Sequence, residues 1–154
     1  NRQRLDNPGK ENVMKRKASA VWKGGLKDGK GTISTASGVL KDSQYSFGTR
    51  FENGVGTNPE ELIAGAHAGC FSMALSLILG EAGMKADSIN TTATVSREQK
   101  DGGFAITAVH LDVRARIPGA DPKAFEKAAN AAKTGCPVSK VLNATITMDA
   151  KLES

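Results

Sequence analysis

Residues Asn58–Ala82 read NPEELIAGAHAGCFSMALSLILGEA, and this stretch decides the fold. It opens with helix-start chemistry. Asn58 suits the N-cap and Pro59 the first helical position, while Glu60 and Glu61 meet the positive end of the backbone dipole. The nineteen residues from Leu62 to Gly80 carry no formal charge, and Gly83 supplies a stop. The pattern predicts one long helix with Cys70 in the middle of its apolar run. A run of that length also matches a membrane span. Gly65, His67, Gly69, Ser72 and Ser76 dilute its hydrophobicity, however, and both ends carry Glu with no basic flank. The expectation is a helix of a soluble protein, apolar on all sides and buried by sheet or by a second subunit.

Outward from this helix, short strands precede it and long ones follow. Ala18–Gly24 alternates as a strand, Gly24–Gly31 is turn chemistry, and Thr32–Thr35 completes a hairpin. Gln44–Phe47 is a further short strand, and Arg50-Phe51 lead into a loop over Glu52–Thr57. Ile89–Gln99 and Phe104–Ile117 alternate around an Asp101-Gly102-Gly103 turn, with one slip near Ala108. Asp121-Pro122 caps a helix over about Lys123–Lys133. Cys136-Pro137-Val138-Ser139 starts a short helix, and Ala144–Leu152 is the last strand. Strands and helices are segregated, so the class is α+β, with an antiparallel sheet packed on a long buried central helix.

At 154 residues the chain suits one domain, expected over 15–154 behind a flexible extension at 1–14. Met14 could be the natural start, with foreign residues before it. The net charge of +5 is uneven: residues 1–17 carry +4 and the remainder +1. A nearly neutral body behind a basic tail argues against nucleic-acid binding. Asn1–Lys17 holds no apolar leader, so a cytoplasmic, reducing compartment is expected. Two cysteines are too few for a disulfide scaffold or a four-cysteine metal site, but they suffice for a redox pair.

Chemistry therefore centres on Cys70 and Cys136. By position alone Cys136, at a helix start, is the more obvious activated thiol, whereas a mid-helix Cys70 needs a cation to ionise. Two inert core thiols are the bland alternative. His67 lies one turn before Cys70 and reads as a packed or interface histidine, with a base role possible; His110 reads as surface. Phe71, Met73, Leu75, Leu77 and Leu79 read as core or pocket wall.

The runs Asn58-Pro59-Glu60-Glu61-Leu62-Ile63 and His67-Ala68-Gly69-Cys70-Phe71-Ser72-Met73-Ala74-Leu75 resemble the helix motif of the osmotically inducible protein C (OsmC) family. Cys136-Pro137-Val138-Ser139 resembles its second-cysteine motif, and Gly31-Thr32, Ser37-Gly38-Val39-Leu40 and Phe47–Glu52 are also similar. The likeness spans about Lys15–Lys151. It favours the osmotically inducible branch over the organic hydroperoxide resistance branch, because the arginine falls in Thr49-Arg50-Phe51. The resemblance implies a thiol peroxidase acting on organic hydroperoxides, with Cys70 as peroxidatic and Cys136 as resolving cysteine, joined in a disulfide during turnover. It implies that Arg50 and Glu60 support the thiolate. It also implies an intertwined homodimer, an external dithiol reductant (of lipoyl type), no cofactor, no metal and no membrane or nucleic-acid partner. A thiol–disulfide reductase and a small-ligand binding module are the competing readings. Ten helical residues between Glu60 and Cys70 span about 15 Å, so Arg50 must bridge them or the helix must bend near Ala64-Gly65.

Overall fold

The computed structural model of the chain describes residues 13–153. The extension expected over 1–14 lies outside the described residues except for Val13 and Met14, which are exposed. The chain divides after Thr57 into two compact units.

The first unit holds β1 (Ala18–Lys23), β2 (Lys30–Thr35), β3 (Ser43–Tyr45) and the single-turn helix α1 (Phe47–Phe51). The strands form an antiparallel sheet in the order β1-β2-β3. Trp22, Gly31 and Tyr45 make one cross-strand row, and the two rings lie 5.5 Å apart. Glycine is required at the centre of that row, because a Cβ there would run into both rings. Helix α1 corrects the expectation of a strand end at Phe47 and a loop at Arg50. Its cause is a capping box. The Thr49 N–H donates to Ser46 Oγ at 3.3 Å, and the Ser46 N–H donates to Thr49 Oγ1 at 2.7 Å.

The second unit runs α2 (Pro59–Glu81), β4 (Ser88–Lys100), β5 (Gly103–Arg116), α3 (Pro122–Gly135), α4 (Pro137–Val141) and β6 (Thr145–Glu153). Helix α2 starts as expected, with Asn58 Oδ1 accepting from the Glu61 N–H at 2.8 Å. It stops at Gly83, whose φ of +79° lets the Met84 N–H reach back to the Leu79 carbonyl at 2.8 Å. Strands β4 and β5 form a long hairpin closed by Asp101 and Gly102, both at positive φ. Between Ser96 and Arg97 the register shifts, so that Thr107 is an extra residue on β5; this is the slip seen near Ala108. Val109, Leu111, Val113 and Ala115 point into the core, while Asp112, Arg114 and Arg116 are exposed.

One expectation is corrected here. Strand β6 pairs with β5 in parallel, so this sheet is mixed. Residues 117–144 carry two helices between those strands, which is the crossover that parallel pairing requires. Helix α2 buries one face within its own unit. His67, Phe71, Leu75 and Leu79 are fully buried against the sheet and α3, but Met73 is 78% exposed and Leu77 64%. Although α2 has the length and composition of a bilayer-crossing helix, this inner face is packed on protein.

Candidate active site

The site grows from the way α3 approaches α2. Asp121 caps α3, accepting from the Ala124 N–H at 3.1 Å. The buried face of α3 is Phe125, Ala128, Ala129 and Ala132, one apolar stripe at helical spacing. Three alanines on that stripe let the helix axes come close. The chain then turns at Cys136, which ends α3 and begins α4. Its N–H donates to the Ala132 carbonyl at 2.9 Å, and its own carbonyl accepts from the Lys140 N–H at 3.1 Å.

The Cys136 side chain makes no capping bond to α4. Its Sγ donates instead to Cys70 Sγ, 2.8 Å away across 66 residues of sequence. Both cysteines are free thiols. They differ in access: Cys136 is 0% exposed, while Cys70 is half-buried. The Cys70 pKa is pushed up, first by burial and then by the hydrogen bond and charge of Cys136; a backbone hydrogen bond from Val138 pulls the other way. Within its own unit Cys70 is therefore a thiol at neutral pH, and a thiolate there needs a cation.

The other two expected residues are Glu60 and Arg50. Glu60 is half-buried in the first turn of α2. That helix is unbroken through Ala64-Gly65, so about 15 Å of axis separates Glu60 from Cys70 and direct contact is excluded. Arg50 belongs to the first unit, in the last turn of α1, with Cζ 5.6 Å from the Phe51 ring centroid. It borders a cavity of about 200 Å³ lined by Trp22, Leu26, Tyr45, Phe47 and Phe51. Among the described residues, no three His, Cys, Asp or Glu side chains converge as a metal site requires.

One participant was missed. Ser139 on α4 lies 2.7 Å from His67 Nε2, and His67 is fully buried. Its Nδ1 is buried with no partner. The Nε2–H tautomer, donating to Ser139 Oγ, leaves only a lone pair unmet at Nδ1, which costs less than an orphaned N–H. Burial lowers the His67 pKa, so the ring is neutral and supplies no cation to Cys70. The sequence did hold a signal, since His67 precedes Cys70 by three residues and Ser139 follows Cys136 by three.

This fold and its paired thiols define an α+β dithiol protein. The OsmC-like protein family matches residues 51–151, and the chain belongs to that family. It is 56% identical over 142 residues to peroxiredoxin OsmC of Escherichia coli strain K12, covering 92% of this chain and 99% of that one. With the organic hydroperoxide resistance protein OhrB of Bacillus subtilis strain 168 it shares 34% over 124 residues, covering 80% and 88%. The crystal structure of an OsmC-like protein from Mycoplasma pneumoniae superposes with a TM-score of 0.72 at 16% identity, covering 92% of this chain and 99% of that one; this likeness is one of fold.

The neutral, buried His67 predicts a stability profile. Its folded pKa lies below the unfolded value of about 6.5, so the unfolded chain binds the proton first. Stability is full above that pH and falls as pH drops toward the lowered folded value. In urea titrations between about pH 7.5 and 5, the wild-type midpoint should decline more steeply than that of His67→Gln. Parallel profiles would show that His67 takes up its proton without hindrance.

Proposed function

We propose that this chain is a cysteine-based peroxidase that reduces organic hydroperoxides, and hydrogen peroxide less well, as a cytoplasmic defence against oxidative and osmotic stress. The observation that carries the reading is the 2.8 Å approach of two sulfurs of which only Cys70 is open to solvent. The named relatives, a peroxiredoxin and organic hydroperoxide resistance proteins, support a peroxidase.

The Cys70 thiolate attacks the terminal oxygen of ROOH. The O–O bond breaks, the alkoxide leaves and takes a proton as ROH, and Cys70 becomes a sulfenic acid. Cys136 as thiolate then attacks the Cys70 sulfur, hydroxide leaves as water, and a disulfide forms. An external dithiol, of lipoyl type, reduces it by two exchange steps. Arg50 is the cation that Cys70 requires: a guanidinium stays charged, holds the thiolate and donates to the peroxide oxygens. Glu60 orients that guanidinium by a two-point contact.

The same proposal includes a homodimer. The outer face of α2, with Ala66, Met73 and Leu77 exposed, is an apolar stripe that a second copy would cover. Light scattering should give twice the 16.1 kDa chain mass. Leu77→Asp should shift that value toward a single chain, and a wild-type monomer at micromolar concentration would remove this part of the proposal.

Two measurements test the chemistry. With one equivalent of cumene hydroperoxide, the wild-type mass should fall by two hydrogens. Cys136→Ser should consume about one equivalent and stall at the sulfenic acid, and Cys70→Ser should consume none. Inert cysteines would leave all three masses unchanged. In Arg50→Met, the rising limb of kcat/KM against pH should move alkaline by roughly one to three units, because the thiolate then forms only past the raised Cys70 pKa. An unmoved limb would show that Arg50 does not support the thiolate.

A further inference from the structure

Helix α4 is poorly equipped to hold its own position. It has five residues, none of them buried, and its N-cap residue makes no side-chain capping bond. A helix this short has no independent stability. Val138 and Leu142 pack only partly against the core, and Val141 is 78% exposed. Its polar ties to α2 are the Val138 backbone hydrogen bond to the Cys70 sulfur and the 2.7 Å bond between Ser139 Oγ and His67 Nε2, and only the second is independent of the reacting sulfur. That bond lies one helical turn from Cys70 on one side and three residues from Cys136 on the other, so it forms a second rung beside the sulfur–sulfur contact. His67 is fully shielded from water, and losing Ser139's oxygen would leave a second buried ring nitrogen without a partner.

We propose that the His67–Ser139 hydrogen bond is a latch that keeps Cys136 within reach of Cys70 during the oxidised stage of the cycle, which makes both residues positioning residues for the resolving step. The inference rests on the peroxidase reading above. In the reduced state the thiols touch, and the latch is redundant. When Cys70 carries a sulfenic oxygen, both ties that end on its sulfur, the thiol–thiol contact and the Val138 backbone hydrogen bond, are disturbed, and the latch remains to hold α4. Two fates then compete. Cys136 displaces the oxygen as water and forms the disulfide, or a second ROOH transfers an oxygen to give the sulfinic acid and ROH. A loosened α4 slows the first fate and leaves the second unchanged.

The test is the product ratio at a fixed excess of cumene hydroperoxide, read by intact mass. The disulfide has lost two hydrogens, and the sulfinic acid has gained two oxygens. Ser139→Ala should raise the ratio of sulfinic acid to disulfide roughly three- to tenfold, the range for losing one such bond. The rate at which the first equivalent of peroxide is consumed should not change. Ser139→Thr, which keeps the hydroxyl, should restore the wild-type ratio. His67→Phe should match Ser139→Ala, and the double variant should be no worse than either, because both remove one interaction. Circular dichroism melts establish that each variant is folded. A wild-type ratio in Ser139→Ala, an equal slowing of the first oxidation, or additive single effects would overturn the latch alone. A wild-type protein that never loses two hydrogens would overturn the peroxidase reading and the latch with it.

Discussion

The contact on which the rest of this structure depends is the one between two sulfurs 2.8 Å apart and 66 residues separated. Each sulfur is delivered by a helix whose placement has its own cause. Helix α2 is fixed by Asn58 at its start, by Gly83 at its end and by Phe71, Leu75 and Leu79 seated on the sheet. Helix α3 is fixed by Asp121 and by an alanine-rich stripe that lets it lie close to α2. Cys136 falls where α3 ends, and the backbone turn there aims its side chain at α2 rather than at α4. Larger residues at Ala128 or Ala132 would push the helices apart and separate the thiols without touching either one.

Burial sets two demands on the site that pull in opposite directions. It raises the Cys70 pKa and so withholds the nucleophile. It also strengthens any charge or dipole that acts there, because little water competes. The Val138 backbone hydrogen bond works toward the thiolate but does not outweigh burial. The neutral His67 adds nothing of the right sign. A half-buried thiol with a raised pKa stays largely protonated until a permanent cation reaches it, which is the part proposed for Arg50.

Much of this was legible in the sequence because the signals were local. Alternation marked β4 and β5, and a single break in that alternation marked the bulge at Thr107. Asn58-Pro59 and Gly83 bounded α2, and Asp121-Pro122 opened α3. What was missed followed from pairings that local patterns do not encode. Helix α1 is capped by a box in which Thr49 does what Glu or Gln usually does, so the familiar signature is absent. The parallel β5–β6 pair was foreshadowed by two helices lying between the strands, since a crossover permits parallel pairing and a short turn does not. At the site, the likeness to a family pointed to four residues. Within the second unit the structure brings Cys70 and Cys136 together and adds Ser139, whose partner is identifiable only once α4 is seen against α2.

The apolar composition of α2 has two explanations, and the structure separates them. His67, Phe71, Leu75 and Leu79 are apolar-facing because the core is there. Ala66, Met73 and Leu77 have no such cover within the chain, although the residues between them are as free of charge as the rest of the run. Cys70 lies on the boundary between these two faces, and for that reason it is half-buried. A second copy seated on the outer face, as proposed, would dry the flank of Cys70 that now meets water. Drying raises the thiol pKa further and magnifies the effect of a nearby guanidinium. Assembly and thiol reactivity would then be coupled through a single helix, because the residues that decide one lie a turn from the residue that performs the other.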